Sequence, residues 1–519
     1  MLQGGNMDQI IEQLFHVQML NQLFLTLFLV IPIIFISRTV VAGTRYSPIL
    51  IIVIFGLGMG LALIKGNVAT PGLPELPVVV LLSKVTITAL VASFFVGGQE
   101  LRRILTRRPL ESDDMVVPSD EEVMLGTKRT QFVYIVRALF ILMGIEGLKR
   151  LLLGVPAEDP LASFYPIITY IGIAGAIILI DYKATIKNKT RYIRKGVLEI
   201  VFIVVILIGS TLVAQLVKPL IALPQIFFAM IISAGLGAIF TNWKFGPTLR
   251  SLLFAGIPVV LAANFIVGGS QILDAFKLTE MRSVMAYGLF GQLFWMFGGL
   301  SLLILVGKAN HVRNLAPGMA GSLSHSGLTG ACTAGDLGPD AALRAPIMIN
   351  IPFFGHIFVF SILAASASRG ELYAGWVGLL VLAGAGLTIL ALRTLRKSQG
   401  SEAQEVKGLM QFSFGFQIVA VFGSFLMLWL SGMSINDSAM ATSSAISHFG
   451  LFAAVQGGMF GTQAAAMIPF IFAMPFLIHP FVFGMFGKAV SSNGKMPVKI
   501  AYILAGLGVV GVLYALVFA

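Results

Sequence analysis

The chain has 519 residues, 57% of them hydrophobic and 11% charged. A soluble domain carries about 25% charged residues, so this composition excludes a water-solvated globular protein and calls for lipid as solvent. The single cysteine, Cys332, excludes an internal disulfide and a multi-cysteine metal cluster, and the net charge of +12 belongs to short loops beside helices rather than to a nucleic-acid surface.

In chain order, stretches of the roughly 20 apolar residues that a spanning helix needs fall at 19–37, 47–65, 77–99, 131–152, 164–182, 197–217, 222–241, 251–275, 284–307, 345–367, 374–392, 408–431, 464–487 and 498–518. They predict an all-α integral membrane protein with about 14 transmembrane helices. The first apolar run leads straight into the series and reads as a span, not as a cleavable leader. Arg102, Arg103, Arg107, Arg108, Lys128 and Arg129 lie between the third and fourth spans. Lys183, Lys187, Lys189, Arg191, Arg194 and Lys195 lie between the fifth and sixth. Basic loops stay on the cytoplasmic side, which places the N-terminus outside. Glu100, Glu146, Asp181, Glu199 and Asp274 are expected at or near helix ends, with Glu146 the deepest.

A repeat organises the C-terminal half. Shifted by 123 residues, 324–360 lies over 447–483 without a gap, and 16 of 37 positions are identical. The matches include Ser324-His325 with Ser447-His448, Gly335 and Gly338 with Gly458 and Gly461, Pro352-Phe353 with Pro475-Phe476, and His356 with His479. Generic hydrophobicity does not align these residues. A fainter repeat joins 40–101 to 216–275: Ala92–Gln99 is similar to Ala263–Ser270, and each copy is preceded by a Gly-x-Gly, Gly56/Gly58 and Gly235/Gly237. Two further segments, 318–340 and 440–462, are rich in Gly, Ser, Thr and Ala. The copies of the faint repeat lie five spans apart, an odd number that gives them opposite orientation; if 318–340 and 440–462 both enter and return on one side as re-entrant or broken segments, the basic run Arg393–Lys397 stays cytoplasmic and the strong repeat also becomes an inverted-topology repeat. The division expected is 1–283 as scaffold and dimerisation domain and 284–519 as core transport domain, with repeats 284–397 and 408–519.

Paired broken helices of opposite orientation build transport sites near the bilayer midplane. The first segment offers Ser322, Ser324, His325, Ser326, Thr329, Cys332 and Thr333; the second offers Ser443, Ser444, Ser447, His448, Gln456, Thr462 and Gln463. His325 and His448 are either titrating groups or neutral braces for their tips. His356 and His479, beside phenylalanines, read as packing. Arg344 can grip a carboxylate with two hydrogen bonds or belong to a charge cluster at a helix start. No catalytic triad, phosphate loop or metal motif appears, so no enzyme is expected and no cofactor; a transported Na⁺ is expected at the same tips.

The Pro-led span from Leu223-Pro224-Gln225, the span with Asn264 and Gly268, and the small-residue segment Ser324–Ala334 (SHSGLTGACTA) together resemble the glutamate:sodium symporters and, more broadly, the 2-hydroxycarboxylate carriers. The resemblance covers roughly 195–370, with a weaker echo in 40–155. It implies a homodimer in the cell (inner) membrane, an immobile scaffold, and a moving core that holds a small anionic solute and Na⁺ between two tips. The family places one re-entrant loop in each half, whereas both fall in the C-terminal half here. The function expected is an Na⁺- or H⁺-coupled secondary transporter of a small organic anion such as glutamate or a di- or tricarboxylate. The alternatives are a cation/proton antiporter, suggested by the run Phe95–Glu100, and a channel or structural subunit of a membrane complex.

Overall fold

The structure is a computed structural model. It describes residues 49–65, 91–92, 94–99, 101–103, 189–217, 225–241, 257–323, 326–333, 335–398, 400–446 and 467–517, together with isolated positions between these and near residue 35. Among the described residues the chain is helical, with no strand. The described residues of the N-terminal half include α1 (Ile49–Lys65), α2 (Lys189–Val217), α3 (Gln225–Ile239) and α4 (Ile257–Lys277). The C-terminal half begins with α5 (Thr279–Leu305), α6 (Val312–Leu323), α7 (Ser326–Thr333), α8 (Pro339–Arg369) and α9 (Ala374–Lys397). It continues with α10 (Glu402–Leu430), α11 (Ile435–Ile446), α12 (Ile468–Ala473), a 3-10 turn (Met474–Ile478), α13 (His479–Ser491) and α14 (Val498–Val517).

Among the described residues, five stretches are long and apolar enough to cross a membrane: Met281–Leu305, Ala374–Lys397, Glu402–Leu430, Met474–Ser491 and Val498–Val517. Large apolar side chains stand exposed along whole faces, Trp376, Leu379 and Leu382 on α9 and Ile503, Leu507, Val510 and Leu513 on α14. Contiguous faces of this kind suit lipid rather than water. The protein is therefore an all-α, membrane-embedded chain.

Several boundaries differ from the sequence expectation. α2 begins at Lys189, so Lys189, Arg191, Arg194 and Lys195 form its first turns rather than a loop. α9 runs on to Lys397, which takes the basic run Arg393–Lys397 into helix. Charged residues at the ends of a spanning helix can extend toward the headgroups, so hydrophobicity alone cuts such helices short. The expected spans 131–152 and 164–182 lie outside the described residues.

Close helix packing through glycine sets the N-terminal half. α1 crosses α4, and α3 lies against the helical segment 94–99. A Cβ on Gly60 would stand 2.0 Å from the Ile266 carbonyl oxygen, and one on Gly237 would stand 2.0 Å from that of Phe95. A Cβ on Gly269 would meet the Leu57 oxygen at 2.3 Å, and one on Gly98 the Ala234 oxygen at 1.9 Å. These are two equivalent sets: Gly60–Ile266 with Leu57–Gly269, and Gly237–Phe95 with Ala234–Gly98. Ser233, where α1 has Gly56, donates its hydroxyl to the Val91 carbonyl at 2.6 Å. The contacts pair Gly58/Gly60 with Gly235/Gly237, which corrects the Gly56/Gly58 alignment by two residues. In each set, a Gly-x-Gly helix of one copy packs on the Gly-Gly helix of the other.

The C-terminal half packs in the same crossed manner. α5 packs on α11 and α14, while α10 packs on α6 and α9. The starts of α5 and α10 are 123 residues apart, and so are both ends of α6 and α11. Gly338 and Gly461 have φ of 97° and 95°, a region closed to most side chains. The copies part company after that. α8 is one helix of 31 residues, whereas the equivalent stretch breaks into α12, the 3-10 turn and α13. The turn seats Phe476 on Phe265 of α4, ring centroids 4.6 Å apart.

Candidate functional site

Among the described residues, the helices α6, α7 and α11 of the C-terminal half each cover less than the thickness of a bilayer. α6 and α11 have 12 residues each and α7 has eight, which makes them about 18 Å and 12 Å long against a hydrocarbon core of about 30 Å. Each is nevertheless buried: all of α6 except Arg313, and in α11 Ser438 to Ile446 without interruption. α7 packs against both α6 and α8. Neither 318–340 nor 440–462 is a single continuous helix, and the broken segments begin earlier than expected, at Val312 and Ile435. Pro317 disguises the start of α6 in the sequence, since a proline usually marks a helix end.

α6 is described to Leu323 and α11 to Ile446, and Ser324-His325 and Ser447-His448 come next in the chain. Those four residues, with Gln456, Thr462 and Gln463, lie outside the described residues. Ser326 and Thr333 are the first and last residues of α7, Thr329 is partly buried, and Cys332 is fully buried.

Arg344 does not face an open site. It is 4% exposed. Its guanidinium donates to Asn314 Oδ1 at 2.6 Å, to Glu405 Oε2 at 3.2 Å and to Glu402 Oε1 at 3.2 Å. Asn314 donates in turn to the Glu405 carboxylate. Both glutamates sit in the first turn of α10, where the helix dipole favours negative charge. The two-pronged grip proposed for a substrate carboxylate is thus taken up by the chain's own carboxylates, and it joins α6, α8 and α10. The charge cluster thus forms at the start of α10, from Glu402 and Glu405, and not from the acidic residues that lie near Arg344 in the sequence.

The least expected feature is on α11. Ser438, Thr442, Ser443 and Ser444 are buried, at most 1% exposed, and their hydroxyls have no hydrogen-bond partner. Elsewhere helical hydroxyls satisfy themselves on the preceding turn: Ser210 and Thr211 on Leu207, Ser270 on Val267, Ser322 on Met319, Thr388 on Gly384. A buried polar group left unpaired costs about 1–3 kcal/mol. Four on one helix are therefore a large local cost. The equivalent positions on α6 are Leu315, Met319, Ala320 and Gly321, none of them polar. One contact shows the reversal directly. On α10, Ser413 stands over Gly321 and donates to the Gly318 carbonyl at 3.2 Å; on α11, Ser444 stands over Gly288 of α5 and has no partner. Sequence reasoning weighed Ser443 and Ser444 and missed Ser438 and Thr442, because a helical Ser or Thr ordinarily bonds its own i−4 carbonyl.

Other groups fall into place around this. His479 is fully buried between Phe476 and Phe483, with centroids 4.1 and 5.1 Å away, as packing requires. Gln99 donates to the carbonyls of Phe240 and Trp243, and Arg102 to that of Ala238 at 2.6 Å, so this part of the run Phe95–Glu100 ties off the end of α3. Glu199 lies within α2 and is fully buried rather than interfacial. Among the described residues, no three of His, Cys, Asp and Glu gather to hold a metal ion. Comparison with family models, with curated proteins and with solved structures finds no match to this chain.

Proposed function

We propose that the protein is an ion-coupled secondary transporter of a small organic anion, working by elevator-type alternating access, and not an enzyme. The observation that supports this reading is the pair of buried helices α6 and α11, whose described residues run up to the two Ser-His pairs at equivalent points. Broken helices inside a membrane protein persist where backbone is sheltered by protein or lines a wet cavity, and they supply the half-helix ends that bind ions and anions. The crossed packing supports inverted repeats. α6 runs parallel to α10, with Gly318 near Leu409 and Gly321 near Ser413; α5 runs parallel to α11, with Gly288 near Ser444 and Gly291 near Ala445. A chain that reverses direction from α5 to α6 then has α5 and α10 pointing opposite ways. α1 and α4 are parallel by the same measure, with Gly56 near Ala262 and Gly60 near Ile266.

In this reading 1–283 is the scaffold of a homodimer in the cell membrane, 284–519 is the moving core, and Na⁺ or H⁺ drives uptake. Coupling arises because the ion prefers one state of the loaded core. In proteoliposomes, His325→Ala and Ser324→Ala each lose most uptake while still inserting in the membrane. Normal uptake by both variants would remove the site. The buried carboxylate of Glu199 favours a second reading, a cation/proton antiporter. A pH gradient collapsed by Na⁺ or K⁺ without any organic solute distinguishes it.

A further inference from the structure

We propose that the knuckle where the α5–α6 loop meets the α13–α14 turn binds the phosphate headgroup of an anionic phospholipid, through Lys308, Lys488, Lys495 and Lys499. The sequence supplies the charge. No Asp or Glu occurs from Met281 to Gly335 or from Ser438 to Ala519, so both loops carry only positive charge. All four lysines are exposed. The carboxylates that reach the start of α6, Glu402 and Glu405, are already held by Arg344 and Asn314. The backbone holds the two loops together. Val312 N–H donates to the Gly494 carbonyl at 3.0 Å and Met496 N–H to that of Asn310 at 3.2 Å. His311 and Lys495 form an antiparallel bridge. Inside the second loop, Gly494 N–H closes on the Ala489 carbonyl at 2.7 Å and Ser492 N–H on that of Lys488 at 3.0 Å. Lys308 and Asn493 have φ of 54° and 56°, and among the described residues no other non-glycine residue has a positive φ. Such residues seldom adopt that conformation. Two such turns, bonded to each other, fix where the lysines leave the backbone.

The lipid-facing surface ends at the same place. A Cβ on Gly508 would stand 2.3 Å from the Phe294 nitrogen, and one on Gly511 2.0 Å from the Phe290 ring. Residue numbers rise along α14 as they fall along α5, so the helices are antiparallel and the end of α5 lies beside the start of α14. Leu302 and Leu305 are exposed near that end of α5, and Ile500 and Ile503 near that start of α14. An acyl chain can lie along these side chains while its headgroup meets the lysines. The 20 residues of α14 make it about 30 Å long, the thickness of the hydrocarbon core. Lys495 and Lys499 therefore come at headgroup depth, where lysine stems extend toward the interface. A lysine ammonium meets a phosphate as a point charge, and juxtamembrane lysines attract anionic lipid.

The test is thermal unfolding of the purified full chain in nonionic detergent at one ionic strength, with added phosphatidylglycerol, phosphatidylcholine or inorganic phosphate. A bound ligand raises the midpoint as its concentration passes Kd. The expected result is a saturable rise with phosphatidylglycerol and none with phosphatidylcholine or phosphate. Lys308→Gln with Lys495→Gln raises the half-saturating concentration about 10-fold or more, and Lys308→Arg with Lys495→Arg restores it. Arg396→Gln with Lys397→Gln, exposed cations at the end of α9, leaves it unchanged. Equal midpoints with the two lipids overturn the site. So does an equal loss in both glutamine pairs, which would mean diffuse attraction to a basic surface. A rise with inorganic phosphate at the same half-point assigns the lysines to a free anion and overturns the lipid. If the Lys308→Gln, Lys495→Gln chain does not fold, native mass spectrometry of the unaltered chain decides: phosphatidylglycerol retained in preference to phosphatidylcholine supports the site, and no preference overturns it. None of these outcomes depends on solute uptake, so the site and the carrier reading stand or fall separately.

Discussion

Adding one methyl group at Gly237 destabilises the protein by about 3 kcal/mol or more, whereas the same change at Gly235 is neutral or mildly stabilising. The Gly237 Cβ would stand 2.0 Å from the Phe95 carbonyl oxygen, while at Gly235 nothing lies within 4 Å. A backbone oxygen cannot turn aside as a side-chain end can, so α3 and the segment 94–99 must separate. Overpacking of this kind costs about 1–3 kcal/mol and sometimes more, and here the separation also disturbs the Ser233–Val91 hydrogen bond. At Gly235 the new methyl lowers chain entropy in the unfolded state and gains about 0.5–1 kcal/mol. The same contrast is expected at the equivalent pair. Gly60→Ala meets the Ile266 oxygen at 2.0 Å, and Gly58→Ala meets nothing. Unfolding midpoints of the four alanine variants in detergent check the pairing. If Gly58 and Gly60 respond alike, the equivalence of the two contact sets fails.

Arg344→Ala is expected to lower stability by about 3–5 kcal/mol, the usual loss when one partner of a buried ion pair is removed. Which partner matters can be read from exposure. Glu402 has a side chain 55% exposed and adds little. Glu405 is 15% exposed and Asn314 is 2% exposed, so both lose their partner in a site with little water. Glu405→Gln in the Arg344→Ala background should recover part of the loss, because it removes the stranded charge. An Arg344→Ala variant of unchanged stability that fails only in solute uptake would return this residue to the substrate site.

What the sequence revealed and what it hid follow from physical causes. Membrane character was legible because no soluble surface can be built from 11% charged residues. The positions of α6 and α11 were nearly legible, since the 123-residue repeat carries glycines and prolines that spanning helices do not need. The crossed packing was not, because it depends on which backbone approaches which glycine. Only the contacts at Gly60, Gly237, Gly98 and Gly269 set the alignment of the faint repeat. The fate of Arg344 was hidden because its carboxylates arrive from Glu402 and Glu405, on the far side of α9 in the chain. The hydroxyls of Ser438 and Thr442 look ordinary in sequence, and they stand out only when their neighbours on other helices prove to be satisfied.

The opposed orientation of the two broken segments is open to a single direct measurement. In a Cys332→Ser background, Lys308→Cys marks the entry to α6 and Ser434→Cys the entry to α11; both positions are exposed. Sealed, right-side-out vesicles are treated with a membrane-impermeant maleimide before and after permeabilisation. The account predicts that Ser434→Cys reacts in sealed vesicles and Lys308→Cys only once they are opened. Labelling of both from the same side would contradict it.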